Sequence, residues 1–261
     1  MRMLTPRVAL ALAAIAVAAV VNAQCANTSY GNGVTCVQAA GYGGGGTNQT
    51  TKDLTMTVTA GHGVIVSAYQ CWDSNCLTTG TATMTLSTNV NSPEPCFTKS
   101  PGSPFTLVET GAQHLQQYMW FCPSIPAGVN NFRLTCSPAG ACNYMTGWVS
   151  EWTGLTSTSG AGAFDTDGGA ASTGKSTTAS VSTNPGASFT KDLFVCALDN
   201  TNDLTMTVQA PFATVNQFYA GNILAAMTSA TGGVKTCTTT WTGADDWYGT
   251  IMTPTAFRSG I

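Results

Sequence analysis

The sequence predicts an all-β fold, a two-sheet antiparallel β-sandwich of jelly-roll type stapled by disulfides. Three observations carry that expectation. Short runs rich in Thr, Val, Phe, Tyr and Trp recur between Gly, Pro, Asn and Asp, and no window sustains helical periodicity between capping signals. Ten cysteines, an even number, all follow the N-terminal segment. Only 8% of the chain is charged, against roughly 25% in ordinary domains, and Thr, Ser, Asn and Gly fill the polar positions instead.

The N-terminal segment stands apart. Arg2 and Arg7 precede an apolar run from Val8 to Val21, and Val21-Asn22-Ala23 has the small-residue pattern of a cleavage site. That order describes a secretory signal peptide over residues 1–23, too short in its apolar part for a bilayer span of about 20 residues. The expected mature chain, 24–261, is a single exported domain with no later membrane span. It keeps seven basic against twelve acidic side chains, a net charge of −5, with the basic ones scattered. Nucleic-acid binding needs a concentrated basic patch and is set aside.

The candidate strands, in order, are 53–59, 63–71, 81–87, 105–109, 115–122, 130–136, 143–153, 190–198, 203–209, 214–220, 222–228, 234–241 and 247–253. The segment 41–46, "GYGGGG", reads as a flexible loop. Residues 156–188, rich in Ser, Thr and Gly, read as a long surface connection with room for an edge strand at 176–182. The hexapeptide "DLTMTV" occurs at 53–58 and again at 203–208. Two similar strands in corresponding places of two sheets account for it better than a domain duplication, because the flanks and cysteine spacings differ. An oxidising exterior makes the cysteines a disulfide framework. Sequential pairing is the expectation: Cys25–Cys36, Cys71–Cys76, Cys96–Cys122, Cys136–Cys142 and Cys196–Cys237. Structural zinc is disfavoured, since no C-x2-C pair exists and His62 and His114 are isolated.

The stretch "GWVSEWTGL", 147–155, sets a carboxylate between two tryptophans. Strand alternation separates them: Tyr144, Trp148 and Trp152 share one face, and Met145, Val149 and Glu151 the other. Exposed, the aromatic row would stack on sugar rings; buried, it would be a layer of core, the commoner fate of Trp. "VSEWTGL" at 149–155 and "KDLFVCAL" at 191–198 resemble a group of uncharacterised secreted bacterial β-sandwich proteins carrying a Val-x-Glu-aromatic-Ser/Thr-Gly-Leu strand. The resemblance covers mainly residues 105–255. It implies a jelly-roll-like extracellular fold and no activity that transfers to Glu151.

In "WTGADDWYG", 241–249, Asp245 and Asp246 read as a turn between two strands, and Trp241, Trp247 and Tyr248 as sugar-contacting aromatics on it. "DNTND", 199–203, and "FDTDGG", 164–169, offer oxygen ligands; Asp199 and Asp203 are the candidates for a structural calcium ion, although neither stretch matches an EF-hand. No G-x-S-x-G elbow exists, and His62 and His114 read as loop or strand-edge residues. Asn27 and Asn48 begin N-x-Ser/Thr sequons. The expected role is a non-catalytic binding or adhesion module outside the cell, with a glycan or cell-surface polymer as partner. Two alternatives stand beside it: a self-assembling fibre or coat subunit, and a polysaccharide-degrading enzyme pairing Glu151 with Glu109 or Asp73.

Overall fold

The computed structural model describes residues 25–43, 46–72, 76, 80–89, 97–98, 105–107, 115–129, 131–157, 170–183, 192–217 and 221–254. The expected signal peptide therefore lies outside the described residues. Described elements are all strands: β1 (Ala26–Gly31), β2 (Val34–Tyr42), β3 (Thr51–Thr55), β4 (Gly63–Cys71), β5 (Thr83–Thr88), β6 (Phe97–Thr98), β7 (Phe105–Leu107), β8 (Leu115–Cys122), β9 (Asn131–Ser137), β10 (Asn143–Thr153), β11 (Ala170–Ser182), β12 (Leu193–Asn200), β13 (Thr207–Val208), β14 (Ala213–Asn216), β15 (Asn222–Thr228) and β16 (Thr236–Met252). Every named pairing is antiparallel.

The all-β sandwich is built from three sheets. A central sheet runs β1-β2-β10-β4-β8-β6, with β7 also on β8; a second runs β11-β16-β12-β15-β14, with β13 on β16; a third runs β3-β9-β5. The central sheet is apolar on both faces. Val64, Val66, Tyr118, Trp120, Met145 and Val149 pack against Leu54, Met84, Leu86, Phe132 and Leu134 of the three-stranded sheet. Ile65, Met119, Phe121, Trp148 and Trp152 pack against Leu193, Val195, Leu224 and Met252 of the second sheet. Odd and even residues of one strand thus fill two different cores.

Outside the second sheet lies a further cover. The β11–β16 pair bends where Ser176 and Thr178 of β11 oppose Asp245 and Thr240 of β16, and the exposed residues Thr242–Ala244 bulge outward. Beyond the bend, Cys237 and Trp241 of β16 and Ala179 and Val181 of β11 fold over Phe194, Cys196, Leu198 and Ile223. Met206 and Phe212, flanking β13, complete the cover. The molecule is a stack of four layers: three-stranded sheet, central sheet, second sheet, cover.

Four of the expected disulfides are formed: Cys25–Cys36, Cys71–Cys76, Cys136–Cys142 and Cys196–Cys237 are bonded. Cys122 is disulfide-bonded too; Cys96 lies outside the described residues. The Cys196–Cys237 bond ties the cover to the second sheet.

Two expectations need correction. Residues 170–182, read as part of a surface connection with room for an edge strand only at 176–182, form the 13-residue strand β11. Residues 236–252, read as two strands around a turn, form the single strand β16; the turn chemistry of Thr242-Gly243-Ala244 is used in the bulge, with Gly243 at φ +85°.

Candidate functional site

The most elaborate polar constellation surrounds Glu151, near the end of β10. Alternation turns its side chain away from Trp148 and Trp152, as expected, and toward the segment 56–62 that joins β3 to β4. Its side chain is 1% exposed. The Thr59 amide donates to Oε1 (2.8 Å), Gln38 Nε2 donates to Oε2 (2.5 Å), and His62 Nδ1 lies 2.7 Å from Oε1. Gln38 Nε2 also donates to the Thr57 carbonyl at 2.8 Å. Gln38 reaches the carboxylate because Val37 is bulged out of β2: Glu151 opposes Gln38 while Trp152 opposes Cys36. Burial pushes the Glu151 carboxyl up, but the hydrogen bonds from Gln38, the Thr59 amide and His62 outweigh it and hold it below its ordinary value. A carboxylate closed in this way fastens the 57–62 segment across the end of the sandwich.

A second carboxylate works similarly. Asp245, buried in β16, accepts from Thr201 Oγ1 (3.0 Å), the Asn202 amide (2.9 Å), Asn202 Nδ2 (2.5 Å) and the Asp246 amide (2.9 Å). It holds the turn after β12. Asp246 meets Lys175 Nζ at 3.2 Å. Burial, then the charge of Asp245, raises the Asp203 carboxyl above its usual range.

The two outermost surfaces carry hydroxyls in register. On the three-stranded sheet, Thr51, Thr135 and Thr85 form one row and Asp53, Arg133 and Ser87 the next, with Thr55–Asn131 and Ser137–Thr83 on either side. All point outward, opposite Leu54, Leu134 and Leu86. Arg133 and Asp53 pair bidentately at 2.7 and 2.8 Å. Hydrogen bonding to Arg133 holds the Asp53 carboxyl below its ordinary value. On the cover, Thr207, Thr240 and Thr178 form a row, followed by Thr238–Ser180 and Thr236–Ser182. The last two pairs are hydroxyl-to-hydroxyl contacts of 3.0 and 2.7 Å.

The aromatic expectations divide. Trp148 is 1% and Trp152 0% exposed; each faces the second sheet, where Tyr69 and Tyr30 meet them at 5.9 and 5.3 Å. They are core. Tyr144 leaves the row, because β10 slips register between Asn143 and Thr146 and Tyr144 takes φ +53°; it is 37% exposed. Trp241, Trp247 and Tyr248 are buried as well: Trp241 and Trp247 pack in the core under the cover, and Tyr248, on the opposite face of β16, packs against Tyr69. None of these five rings forms a sugar platform. The calcium candidates also separate: Asp199 points between the sheets and takes a hydrogen bond from Asn222 Nδ2, while Asp203 sits in the turn. No group of three metal-ligating side chains is gathered among the described residues. His114, Glu109, Asp73 and the "FDTDGG" stretch lie outside them.

Sequence reasoning missed the link between His62 and Glu151, which are 89 positions apart. It also missed the outward hydroxyl rows, whose signal was available in the alternation of Thr with Leu and Met along β3 and β5. No helix among the described residues is long and apolar enough to cross a membrane, and the several disulfides are compatible with an extracellular setting. No family model matches the chain, and neither a curated protein nor a solved structure matches it.

Proposed function

We propose that the chain is an exported, non-catalytic binding module that adheres to a neutral polymer, a glycan first, through its outward hydroxyl rows. The observation that carries this reading is the face of the three-stranded sheet, where Thr51, Thr85 and Thr135 stand in register beside a single internally neutralised charge pair. Adjacent strands lie about 4.8 Å apart and same-face residues about 6.7 Å. Hydroxyls at that spacing offer donors and acceptors to an extended polyhydroxylated surface without the desolvation cost of free charge. The buried carboxylates support a non-catalytic role, since Glu151 and Asp245 are engaged in holding loops.

Retention on insoluble cellulose, chitin and a soluble glycan panel tests it. The wild type should be retained on at least one polymer, and Thr85→Lys with Thr135→Lys should lower retention at least about tenfold, the 1.4 kcal/mol step in affinity. Indifference of the wild type to every polymer would sink the proposal.

A second reading, self-assembly into a fibre or coat, has one feature in its favour. Among the described residues β11 pairs only with β16, leaving a 13-residue edge with one charge, Lys175. Electron microscopy separates the readings, because an adhesion module stays monodisperse.

A further inference from the structure

The space between the central and second sheets is divided along the strands. At the Leu193 end it is apolar, filled by Ile65, Phe121, Trp152, Leu193 and Val195. Toward the Asp199 end it becomes polar. On the central sheet, Ser67 stands opposite Trp148, and Gln117 opposite Tyr69. On the facing sheet, Asn222 pairs with Asp199, Thr250 with Ala197, and Asn216 with Leu224; β16, with Thr250, lies over β8, with Gln117, and β14, with Asn216, lies over β2. The Tyr69 ring joins the two walls, 5.9 Å from Trp148 and 6.1 Å from Tyr248.

Ser67, Gln117, Trp148, Asn216, Asn222 and Thr250 are all buried to within a few per cent. Yet Ser67 Oγ, both amide atoms of Gln117 and of Asn216, Trp148 Nε1, Asn222 Oδ1 and Thr250 Oγ1 have no hydrogen-bond partner among the described residues. Buried polar atoms are seldom left so, because a donor or acceptor removed from water without a partner loses its hydration uncompensated. Their chemistry is balanced: Gln117 and Asn216 each bring one donor nitrogen and one acceptor oxygen, Trp148 a donor, Asn222 an acceptor, and two hydroxyls serve as either. A cation would leave the donors idle and an anion the acceptors.

From this balance we infer that the polar half of the interlayer is a binding site for a neutral hydroxylic occupant that both donates and accepts. Ordered water and the hydroxyls of a small polyol or sugar share that chemistry. The inference is independent of the outer hydroxyl rows, so failure of polymer retention leaves it standing.

The test uses the full mature chain and the variants Thr250→Val, Ser67→Ala and Gln117→Leu, with Thr250→Ser as the control that keeps the hydroxyl. Magnetic relaxation dispersion counts long-lived internal water, and melting is followed with and without glycerol, glucose and galactose. An occupied site predicts that each apolar variant melts lower by at least about 3 °C, a shift of roughly 1 kcal/mol for a chain of this size, while Thr250→Ser does not. A long-lived water signal that the apolar variants lose identifies water. A saturable rise in Tm with one saccharide, absent in Thr250→Val, identifies a hydroxylic ligand. Apolar variants as stable as the wild type or more so, with no long-lived water and no saccharide effect, would overturn the inference, since orphaned groups are improved by removal.

Discussion

Removing the Glu151 carboxylate should unfasten the segment that crosses the end of the sandwich. In Glu151→Ala the Thr59 amide, Gln38 Nε2 and His62 Nδ1 lose their common acceptor in a place where the side chain is 1% exposed. Hydrogen bonds to a charged acceptor contribute roughly 1.5–3 kcal/mol each, but three on one carboxylate are not additive. Deleting one member of a buried charged cluster costs about 3–5 kcal/mol, a large share of a total stability of about 5–15. At about 2–4 °C per kcal/mol for a chain of this length, Tm should fall by roughly 6–20 °C. Glu151→Gln keeps the shape and one acceptor oxygen but turns an amide toward a donor, and should cost about 1–3 kcal/mol. The sign of the pH dependence follows from the folded state holding this carboxyl below its ordinary 4.5. Its stabilisation is complete above that value and is lost as pH falls through the lower folded value. Urea unfolding by circular dichroism across pH 2–7, at about half-unit steps, therefore should show wild type converging on Glu151→Gln only in acid. Glu151→Ala within about 1 kcal/mol of wild type at pH 7, or a difference that does not close in acid, refutes the reasoning.

Three further outcomes follow from the same geometry. Cys196→Ala with Cys237→Ala opens a bond spanning 41 residues, worth about 4 kcal/mol in the chain-entropy model; urea unfolding with and without reductant measures it. Gly154→Ala places a Cβ 2.1 Å from the Gly33 carbonyl oxygen at φ +81°, so left-handed strain and a backbone clash together should cost more than about 2 kcal/mol in thermal unfolding. Asp245→Ala removes the acceptor of the Asn202 amide and should raise hydrogen exchange at Asn202 by at least about tenfold while β4 amides stay protected.

Much of the fold was readable because alternation is a local property. The bounds 63–71, 115–122, 143–153 and 222–228 coincide with β4, β8, β10 and β15, four strands whose residues are nearly all buried. Of strand β11 only the second half, 176–182, was readable, since "AASTGKSTTASVS" lacks sustained apolar alternation and owes its full extended form to a long partner, β16. The Asp245-Asp246 pair misled for a related reason: turn residues build a bulge when both flanks must pair with the same strand. Alternation placed Glu151 on the correct face and left the burial of Trp148 open, because period two distinguishes faces and not which layer covers them. A central sheet buried on both sides was invisible to a two-layer reading. The partners Gln38 and His62 lie 113 and 89 positions from Glu151, and only the folded topology brings them there.

The repeated hexapeptide shows what such local patterns do specify. In the first copy Leu54, Met56 and Val58 pack on the central sheet; in the second, Met206, with Leu204 and Val208 against it, packs on the second sheet. Thr55 and Thr207 face out in each case. The topologies that follow differ: β4 is flanked by β10 and β8, whereas β14, among the described residues, is an edge paired with β15 alone. Duplication of a whole domain would have preserved that order, so the echo is one period-two solution applied twice to covering a sheet. It leaves hydroxyl rows on opposite outer layers of the stack, and a polymer-binding chain of this form is bivalent. Mixing it with a soluble recognised polymer should raise viscosity or precipitate at intermediate ratios and clear at excess protein. Thr85→Lys with Thr135→Lys, which alters one face only, should abolish the cross-linking while leaving part of the retention. Loss of both together would show that the cover's rows bind nothing.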